Sequence, residues 1–320
     1  MAAFRIVCMA SPSDLIPGLT EPVPLQNLVI QKGPLASIHL DVLRLDLVHP
    51  LVSGNKWYKL KYNLDDCLKH GVRTVVSFGG AWSNHLHALA AACQVVGVEV
   101  VGVIRGHKPD VLSPSLKDMQ AMGMRLHFVT REAYRRRYDA EFHSELIDAL
   151  GCDPAVTRII PEGGSNASAM LGCAEILSLH GIQPDDYDCI AAACGTGATL
   201  AGLIFGAEGK GRFLGVPVLK GGDFLVQDIR KRLMDFGCDY QNWQLRTEFH
   251  CGGYARQTDE LQQFIRRFSE ETGVPLDRVY TGKLFFALER LVESGDILPG
   301  SRILAIHTGG LQGNRSLTES

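Results

Sequence analysis

The chain alternates between two patterns of apolar and polar residues. Short apolar runs rich in β-branched residues, such as 72–78 and 98–104, predict buried strands. Apolar residues that recur every three or four positions, as in 55–69, predict helices. Strands separated by helices of about 10–15 residues are typical of parallel sheets with right-handed crossover connections. The pattern therefore predicts an α/β protein.

The alternation continues along nearly the whole chain. Strands are predicted at 38–47, 72–78, 98–104, 126–129, 158–160, 189–193, 213–216 and 302–307. Helices are predicted at 55–69, 83–96, 113–122, 132–150, 166–180, 199–207, 224–236, 257–272 and 283–294. The 320 residues have room for two domains of about 150 residues each, or for one large α/β domain. The Pro- and Gly-containing stretch 152–164 is the best candidate for a crossing between domains.

Charge and cysteine content narrow the class of protein. The net charge is −3. Binding to nucleic acid or to an anionic membrane needs a surplus of basic residues, so neither partner is expected. None of the nine cysteines forms a C-x-x-C pair, and Cys93, Cys173 and Cys189 lie in apolar runs, as expected for free thiols in the cytoplasm. The apolar stretch 6–10 after Arg5 is too short for a signal-peptide core.

One uncharged segment, 189–207, is about long enough to span a membrane and contains the G-x-x-x-G spacing of paired membrane helices. Gly195, Thr196 and Gly197 interrupt it in the middle. A buried strand, a glycine turn and a buried helix explain it better.

Ligands of open parallel sheets bind beyond the carboxyl ends of the strands, so polar residues at those positions are candidates for a site. Lys56 lies at a predicted helix start, where the positive end of the helix dipole makes an ammonium lose its proton more easily. Such a lysine suits a Schiff base, although an ordinary solvated lysine is the alternative.

Two further segments open predicted helices. Ser83 and Asn84 follow Gly79-Gly80 and could form an anion site with free N–H groups, or simply cap the helix. The second segment is Cys194, Gly195, Thr196, Gly197, Ala198 and Thr199, which could be a phosphate cradle or a plain tight turn. It is not the dinucleotide motif, because Leu200 occupies the third glycine position. His85 and His87 point to different helix faces, so no shared metal ion is expected.

The last candidates lie toward the C-terminus. Tyr280 and Thr308 are each expected to follow a short strand, and Tyr254 follows Gly252-Gly253. Tyr280 and Tyr254 are candidate acid–base groups, and Thr308 is placed to offer a hydroxyl to a ring nitrogen. Taken alone, a loop tyrosine is usually only packed against its surroundings.

Together and in this order, the segments resemble the fold-type-II pyridoxal-phosphate (PLP) enzymes that include 1-aminocyclopropane-1-carboxylate (ACC) deaminases and D-cysteine desulfhydrases. Residues 53–60 correspond to the family pattern G-G-N-K-x-x-K-L with Ser53 at its first glycine, and 79–85 correspond to G-G-x-Q-S-N-H with Trp82 at the glutamine. The glycine-rich loop, V-Y-x-G-K at 279–283 and H-T-G-G at 307–310 complete the set. The resemblance extends from about residue 25 to 313.

The resemblance implies a fold, a cofactor and roles for the candidate residues. It implies two domains with open, mostly parallel twisted sheets flanked by helices: a large domain of 1–55 and 162–320, and a smaller inserted domain of 56–161. Lys56 would carry PLP, Asn84 would contact its 3′-oxygen, 194–199 would hold its phosphate and Thr308 would face its pyridine nitrogen. Ser83, Asn84 and His85 would receive the substrate carboxylate, with Trp82 also in the substrate site, and Tyr254 and Tyr280 would flank the reacting carbons. The catalytic residues would be Lys56, Ser83, Tyr254 and Tyr280. A homodimer is also implied.

Departures from the family pattern bear on the substrate. Trp82 replaces the glutamine beside the carboxylate site, and Thr281 replaces an acid that pairs with the pyridine nitrogen in ACC deaminases. A neutral hydroxyl there weakens the cofactor as an electron sink. We therefore expect D-cysteine desulfhydrase-like α,β-elimination to pyruvate, ammonia and sulfide, with ACC deamination as the first alternative. The residues are also compatible with a racemase or dehydratase, with a non-catalytic PLP-binding protein and with a nucleotide-binding Rossmann protein.

Overall fold

The computed structural model describes residues 14 and 16–317; segment 6–10, considered above as a signal-peptide core, lies outside them. Its strands are β1 (Leu25–Leu28), β2 (His39–Leu43), β3 (Thr74–Gly79), β4 (Glu99–Arg105), β5 (Arg125–Val129), β6 (Thr157–Ile160), β7 (Cys189–Cys194), β8 (Phe213–Pro217), β9 (Trp243–Leu245) and β10 (Arg302–Ile306). Its α-helices are α1 (Asn55–Lys69), α2 (Asn84–Val96), α3 (Pro114–Ala121), α4 (Arg131–Arg135), α5 (Ala140–Ala149), α6 (Ala167–Ala174), α7 (Ile176–Leu179), α8 (Ala198–Gly206), α9 (Phe224–Asp235), α10 (Asp259–Thr272) and α11 (Thr281–Glu293).

The strands form two sheets, which confirms the predicted fold class. The six-stranded sheet has the order β1-β2-β10-β7-β8-β9, and the four-stranded sheet has the order β5-β4-β3-β6. All neighbouring strands are parallel except β1 and β2. The smaller sheet takes its strands from 74–160 and the larger one from the chain on either side. The exact domain boundaries at 55/56 and 161/162 stay a prediction.

Alternating side chains of each strand pack on opposite faces of the sheets. In β7, Ile190 and Ala192 pack in a cluster with α8, whereas Ala191 and Ala193 pack in a cluster with α10 and α11. The first cluster also contains Val75 of β3, so one continuous core connects the two sheets. Strands covered by helices on both faces explain why these sequences are apolar without interruption.

Several predicted elements were wrong in extent. The strand predicted at 38–47 ends at Leu43 and a 3₁₀ turn follows; β1 and β9 were not predicted. The single helix predicted at 132–150 is divided into α4 and α5. Asp139 begins the second helix, because its side chain accepts hydrogen bonds from two backbone N–H groups. The helix predicted at 166–180 is α6 and α7. Tyr280 follows a loop rather than a strand, whereas Thr308 follows β10 as expected.

The candidate segments lie where strands end. Gly79 ends β3, Cys194 ends β7 and Ile306 ends β10, and each leads into one of the predicted motifs. Side chains connect these ends across the two sheets: Asn84 of α2 hydrogen-bonds Gln312, and Lys59 of α1 hydrogen-bonds both Gly163 after β6 and Thr196 after β7. The carboxyl ends of both sheets therefore contribute to one site.

Candidate active site

Lys56 lies in the first turn of α1, directly against the loop that follows β10. Gly54 precedes it with φ 65°, and a Cβ there would lie 2.0 Å from the Thr308 carbonyl oxygen, so this approach requires glycine. Asn55 N–H donates to the same oxygen (3.3 Å). Burial lowers the pKa of Lys56 well below its usual value, and the Lys59 ammonium lowers it further. The environment thus favours the neutral, nucleophilic amine beside Thr308.

Lys59 is a buried lysine one turn further along α1, and no role was predicted for it from the sequence. The residue is 3% exposed. Its Nζ donates to the Gly163 carbonyl (3.1 Å) and lies 3.5 Å from both Ser165 Oγ and Thr196 Oγ1. Burial lowers its pKa to about 8. A buried ammonium among hydroxyl groups is a strong attractor for an anion.

The predicted phosphate loop joins β7 to α8 beside Lys59. Gly197 caps α8 in a left-handed conformation, and the first helical turn leaves backbone N–H groups without intrahelical acceptors. Thr199 Oγ1 accepts from Asn55 Nδ2 (2.8 Å), which ties the loop to the start of α1. Arg232 donates to the Ser165 carbonyl (3.1 Å), and its buried Nε has no hydrogen-bond partner within the described part of the chain. Hydroxyls, N–H groups and two cations therefore surround one small volume.

The predicted carboxylate segment begins α2. Ser83 is its N-cap, with Oγ accepting from Leu86 N–H (3.2 Å). Asn84 Oδ1 accepts from Gln312 Nε2 (2.7 Å), which leaves the Asn84 amino group as a donor. The cap does not exclude an anion site, because the N–H groups of the first turn lack intrahelical partners. The two interpretations of this segment are therefore compatible.

Only one of the two ring nitrogens of His85 has a hydrogen-bond partner among the described residues. Ser77 Oγ donates to the Ile160 carbonyl (2.7 Å), so at 2.8 Å it accepts from His85 Nε2–H. His85 Nδ1 is then a bare lone pair, and it is buried without a partner among the described residues. Burial lowers the pKa of His85 well below its usual value. A neutral ring with this tautomer repels a carboxylate, so His85 can contact one only through its backbone N–H.

The two candidate tyrosines are in contact, as expected if both act on the same substrate. Tyr254 and Tyr280 have hydroxyl oxygens 3.5 Å apart and rings in an edge contact. Burial raises the pKa of the Tyr280 hydroxyl well above its usual value. The pKa of the Tyr254 hydroxyl is also raised, because the hydroxyl is buried although 42% of the residue is exposed. Both phenols therefore keep their protons at neutral pH. Lys283 Nζ holds the Tyr254 loop by donating to the Gly253 carbonyl (2.7 Å).

Thr308 and Thr281 are in different situations. No hydrogen bond of the Thr308 hydroxyl occurs among the described residues, and the residue is 7% exposed. Thr281 is completely buried; its Oγ1 donates to Asp277 Oδ1 (2.7 Å) and accepts from Asp277 N–H (2.8 Å). Asp277 also accepts from the backbone N–H groups of 279, 280 and 281. Of the two hydroxyls, that of Thr308 is therefore the one free for a ring nitrogen.

Trp82 lies at the rim of the site. It is 38% exposed and lines, with 109 and 111–114, a surface pocket of about 460 Å³. Across the adjacent turn, the Arg105 guanidinium lies 3.8 Å from the position of a Cβ on Gly80. Arg105 stacks near the Tyr134 ring but has no hydrogen bond or ion pair within the described part of the protein. The rim is therefore aromatic and positively charged.

Four residues with evident roles in the geometry were not predicted from the sequence: Lys59, Asp277, Arg232 and Gln312. Lys59 had a signal, because it is the second lysine of the quoted motif and lies one turn after Lys56. Asp277 had no local signal, because it lies six residues before the helix predicted at 283–294. The other two are recruited from distant parts of the chain and had none.

Two classes of site are absent from the described residues. No group of three or more His, Cys, Asp or Glu side chains there could hold a metal ion. Within the same residues, no helix is both long enough and apolar enough to cross a membrane. The segment 189–207, considered above as a span, is β7, a turn and α8.

The fold and the buried lysine define a class of protein, and comparison with known families agrees. The family model described as "Pyridoxal-phosphate dependent enzyme" matches residues 35–309. The chain belongs to this family, and the resemblance drawn from its motifs is confirmed.

Individual relatives narrow the assignment. A Pyrococcus horikoshii protein named "Putative 1-aminocyclopropane-1-carboxylate deaminase" is 30% identical over 97% of this chain and 95% of its own length. The Arabidopsis thaliana "Bifunctional D-cysteine desulfhydrase/1-aminocyclopropane-1-carboxylate deaminase, mitochondrial" is 29% identical over 85% of this chain and 72% of its own. The crystal structure of an ACC deaminase homologue superposes with a TM-score of 0.76 at 26% identity, covering 97% of this chain and 99% of that one. This chain is therefore a PLP-dependent enzyme of the ACC deaminase and D-cysteine desulfhydrase group.

The described side chains fit PLP. The cofactor needs an amine for its aldehyde and an anion site for its phosphate. Lys56, which is half-buried, supplies an amine with a lowered pKa, and Lys59 supplies a buried ammonium beside Thr196. The buried Nε of Arg232, without a partner among the described residues, adds a positive charge near Ser165.

Proposed function

We propose that this protein acts on a small amino acid, with α,β-elimination from D-cysteine to pyruvate, ammonia and sulfide as its first activity. The observation that carries the choice is the Thr281–Asp277 contact. Thr281 replaces the acid expected of ACC deaminases, and its hydroxyl is used by Asp277. The pyridine nitrogen is then left with the neutral Thr308 hydroxyl, a weaker electron sink that suits loss of an acidic Cα proton.

The residues that would hold PLP come from five segments, one of which is the loop after β10 that carries Thr308. Lys56 Nζ is the proposed point of covalent attachment, and Asn84 Nδ2 would donate to the 3′-oxygen. The phosphate would be held by the 194–199 loop, Lys59 and Ser165, where Lys59, Ser165 and Thr196 already form one hydrogen-bonded group. When bound, PLP supplies the electron sink that stabilises negative charge at the substrate Cα.

The chain's own groups would move the protons. The neutral Lys56 Nζ, once free, is placed to remove the Cα proton, because its lowered pKa makes it a base near neutral pH. Tyr280 Oη, protonated by burial, is placed with Tyr254 to donate to the leaving sulfur. The N–H groups that begin α2 and the Ser83 hydroxyl receive the substrate carboxylate.

A specific observation favours ACC deamination as the second candidate function. Relatives from Pyrococcus horikoshii and Arabidopsis thaliana carry that activity in their names, the latter together with D-cysteine desulfhydrase. The paired tyrosine hydroxyls could serve ring opening as well as elimination. The two functions therefore share a site and differ in the first bond broken.

The deciding experiment is a keto-acid assay of the purified PLP-loaded protein across D- and L-cysteine, D- and L-serine and ACC. Pyruvate from D-cysteine faster than α-ketobutyrate from ACC supports the first function, and the reverse order supports the second. Lys56→Ala should abolish borohydride-trapped cofactor, with Lys69→Ala as a control on the same helix. A trapped adduct in Lys56→Ala would reject Lys56 as the attachment site.

Three broader assignments are also proposals. We infer a homodimer from the family resemblance, and light scattering will test it. We infer two domains divided near 55/56 and 161/162, which limited proteolysis can map. A reducing cytoplasmic compartment fits the eight free cysteines of the described residues, and fractionation of cells with a tagged chain will test it.

A further inference from the structure

Gln312 makes a contact that connects the two sheets inside the candidate site. It follows the glycine pair that ends the β10 motif, and its Nε2 donates to Asn84 Oδ1 (2.7 Å) at the start of α2. The two residues are 228 positions apart in the chain. Asn84 is the residue proposed above to contact the 3′-oxygen of PLP, so its amide orientation matters.

The surroundings support this orientation independently. A Cβ on Gly310 would lie 2.8 Å from Asn84 Nδ2 and 3.2 Å from the Asp277 carboxyl carbon. The Asn84 amino group therefore faces the same small space as a buried carboxylate, which attracts a donor and repels an acceptor. Reversing the amide would direct its oxygen at Asp277. Gln312 and Asp277 thus favour the same orientation of Asn84.

We propose that Gln312 is a positioning residue: its amide donor holds Asn84 Oδ1, so that Asn84 Nδ2–H is presented to the 3′-oxygen of the cofactor. This proposal rests on the proposed function. The role depends on a donor at residue 312, because a hydrogen-bond acceptor there would bind Nδ2 and turn Oδ1 toward the cofactor. An amide oxygen facing the 3′-oxygen would repel it.

Neighbouring contacts hold Gln312 in place. Arg315, three residues on, forms an ion pair with Asp118 of α3, and Asp118 also accepts from His87 Nε2 (3.3 Å). Asn314 Nδ2 donates to the Leu276 carbonyl (2.9 Å). These contacts fix the segment that carries Gln312, which limits the freedom of the glutamine side chain.

The test compares Gln312→Glu with Gln312→Leu. Glutamate is nearly isosteric and can still bond Asn84, but only by accepting from Nδ2; leucine makes no bond. A merely structural role predicts that the glutamate variant behaves like the wild type and the leucine variant worse. Our proposal predicts the opposite order, with the PLP dissociation constant raised about 10- to 100-fold by glutamate and about 5-fold by leucine. Gln263→Glu, exposed on α10, controls for the added charge.

Two readouts besides activity make the result specific. The dissociation constant of PLP is measured by absorbance titration, and the visible spectrum of the bound cofactor reports protonation of its 3′-oxygen. We expect Gln312→Glu to shift that spectrum toward the form with a protonated oxygen, and Gln263→Glu to leave it unchanged. In an Asn84→Ala background the difference between glutamate and leucine at 312 should disappear.

Either of two results would overturn the proposal: glutamate binding PLP as tightly as the wild type, or a difference between the two variants that persists without Asn84. Failure of the proposed function looks different. In that case the wild-type protein itself would bind no PLP, or would form no keto acid from any amino acid tested.

Discussion

Replacing Lys59 by methionine should stabilise the cofactor-free protein while weakening its hold on phosphate. Lys59 is 3% exposed, and burial lowers the pKa of its ammonium from the ordinary 10.5 to about 8. At pH 7 the lysine is charged in both the folded and the unfolded chain. The lowered pKa then corresponds to a cost of about 3 kcal/mol for keeping the charge in the folded state.

The pH dependence follows from proton binding. Between about pH 8 and 10.5 the unfolded chain keeps the Lys59 proton and the folded chain has lost it, so the free energy of unfolding rises with pH across this window. Below pH 8 the full cost is present. Lys59→Met removes it but leaves the Gly163 carbonyl without this donor, so we expect a net stabilisation of about 1–3 kcal/mol at pH 7.

Anion binding should respond in the opposite direction. A phosphate beside the ammonium offsets its burial, so inorganic phosphate should stabilise the wild-type protein and have little effect on Lys59→Met. Loss of a charge-assisted contact predicts a PLP dissociation constant raised about 10- to 100-fold.

Urea unfolding of the cofactor-free proteins, at pH 7 and near pH 9.5, with and without phosphate, measures the stability effects, and absorbance titration measures PLP affinity. Lys69→Met is the matched control, since Lys69 lies on the same helix with a 66% exposed side chain. The reasoning is refuted if Lys59→Met is less stable than wild type at pH 7 and still gains stability from phosphate.

Three further predictions concern other residues of the site. His85 should stay neutral between pH 6 and 8 with its proton on Nε2, since burial lowers its pKa and Ser77 accepts from Nε2. Nitrogen NMR measures the protonation state of the ring, and a titration midpoint near 6.5 would contradict the prediction. Lys283→Met should lower kcat about 10- to 100-fold with little change in PLP affinity, because the Tyr254 loop loses its anchor; an unchanged kcat argues against that anchor. Gly54→Ala should destabilise the protein by about 2–4 kcal/mol in thermal unfolding, since its Cβ would lie 2.0 Å from the Thr308 oxygen; a normal melting temperature would show that the loop can move.

Much of the architecture could be predicted from the sequence because the signals are local. Apolar runs and helical spacing identified most helices and strands, and the order of glycine-rich turns placed the motifs at strand ends. Lys56 could be recognised as a candidate Schiff-base lysine because Gly54 and the helical pattern after it mark a helix start within a few residues. β9, only three residues long, carries too weak a pattern to be distinguished from a loop.

The electrostatic character of the site was decided by the tertiary structure. The sequence by itself determined which residue types follow each strand, because propensity and periodicity act over a few neighbouring residues. It did not determine that Lys59 is buried beside Thr196, 137 positions away, or that Gln312 bonds Asn84. Nor did it show that the Thr281 hydroxyl is used by Asp277. Burial and hydrogen bonding between distant segments set the pKa values and free donors, and these exist only once the two sheets have packed together.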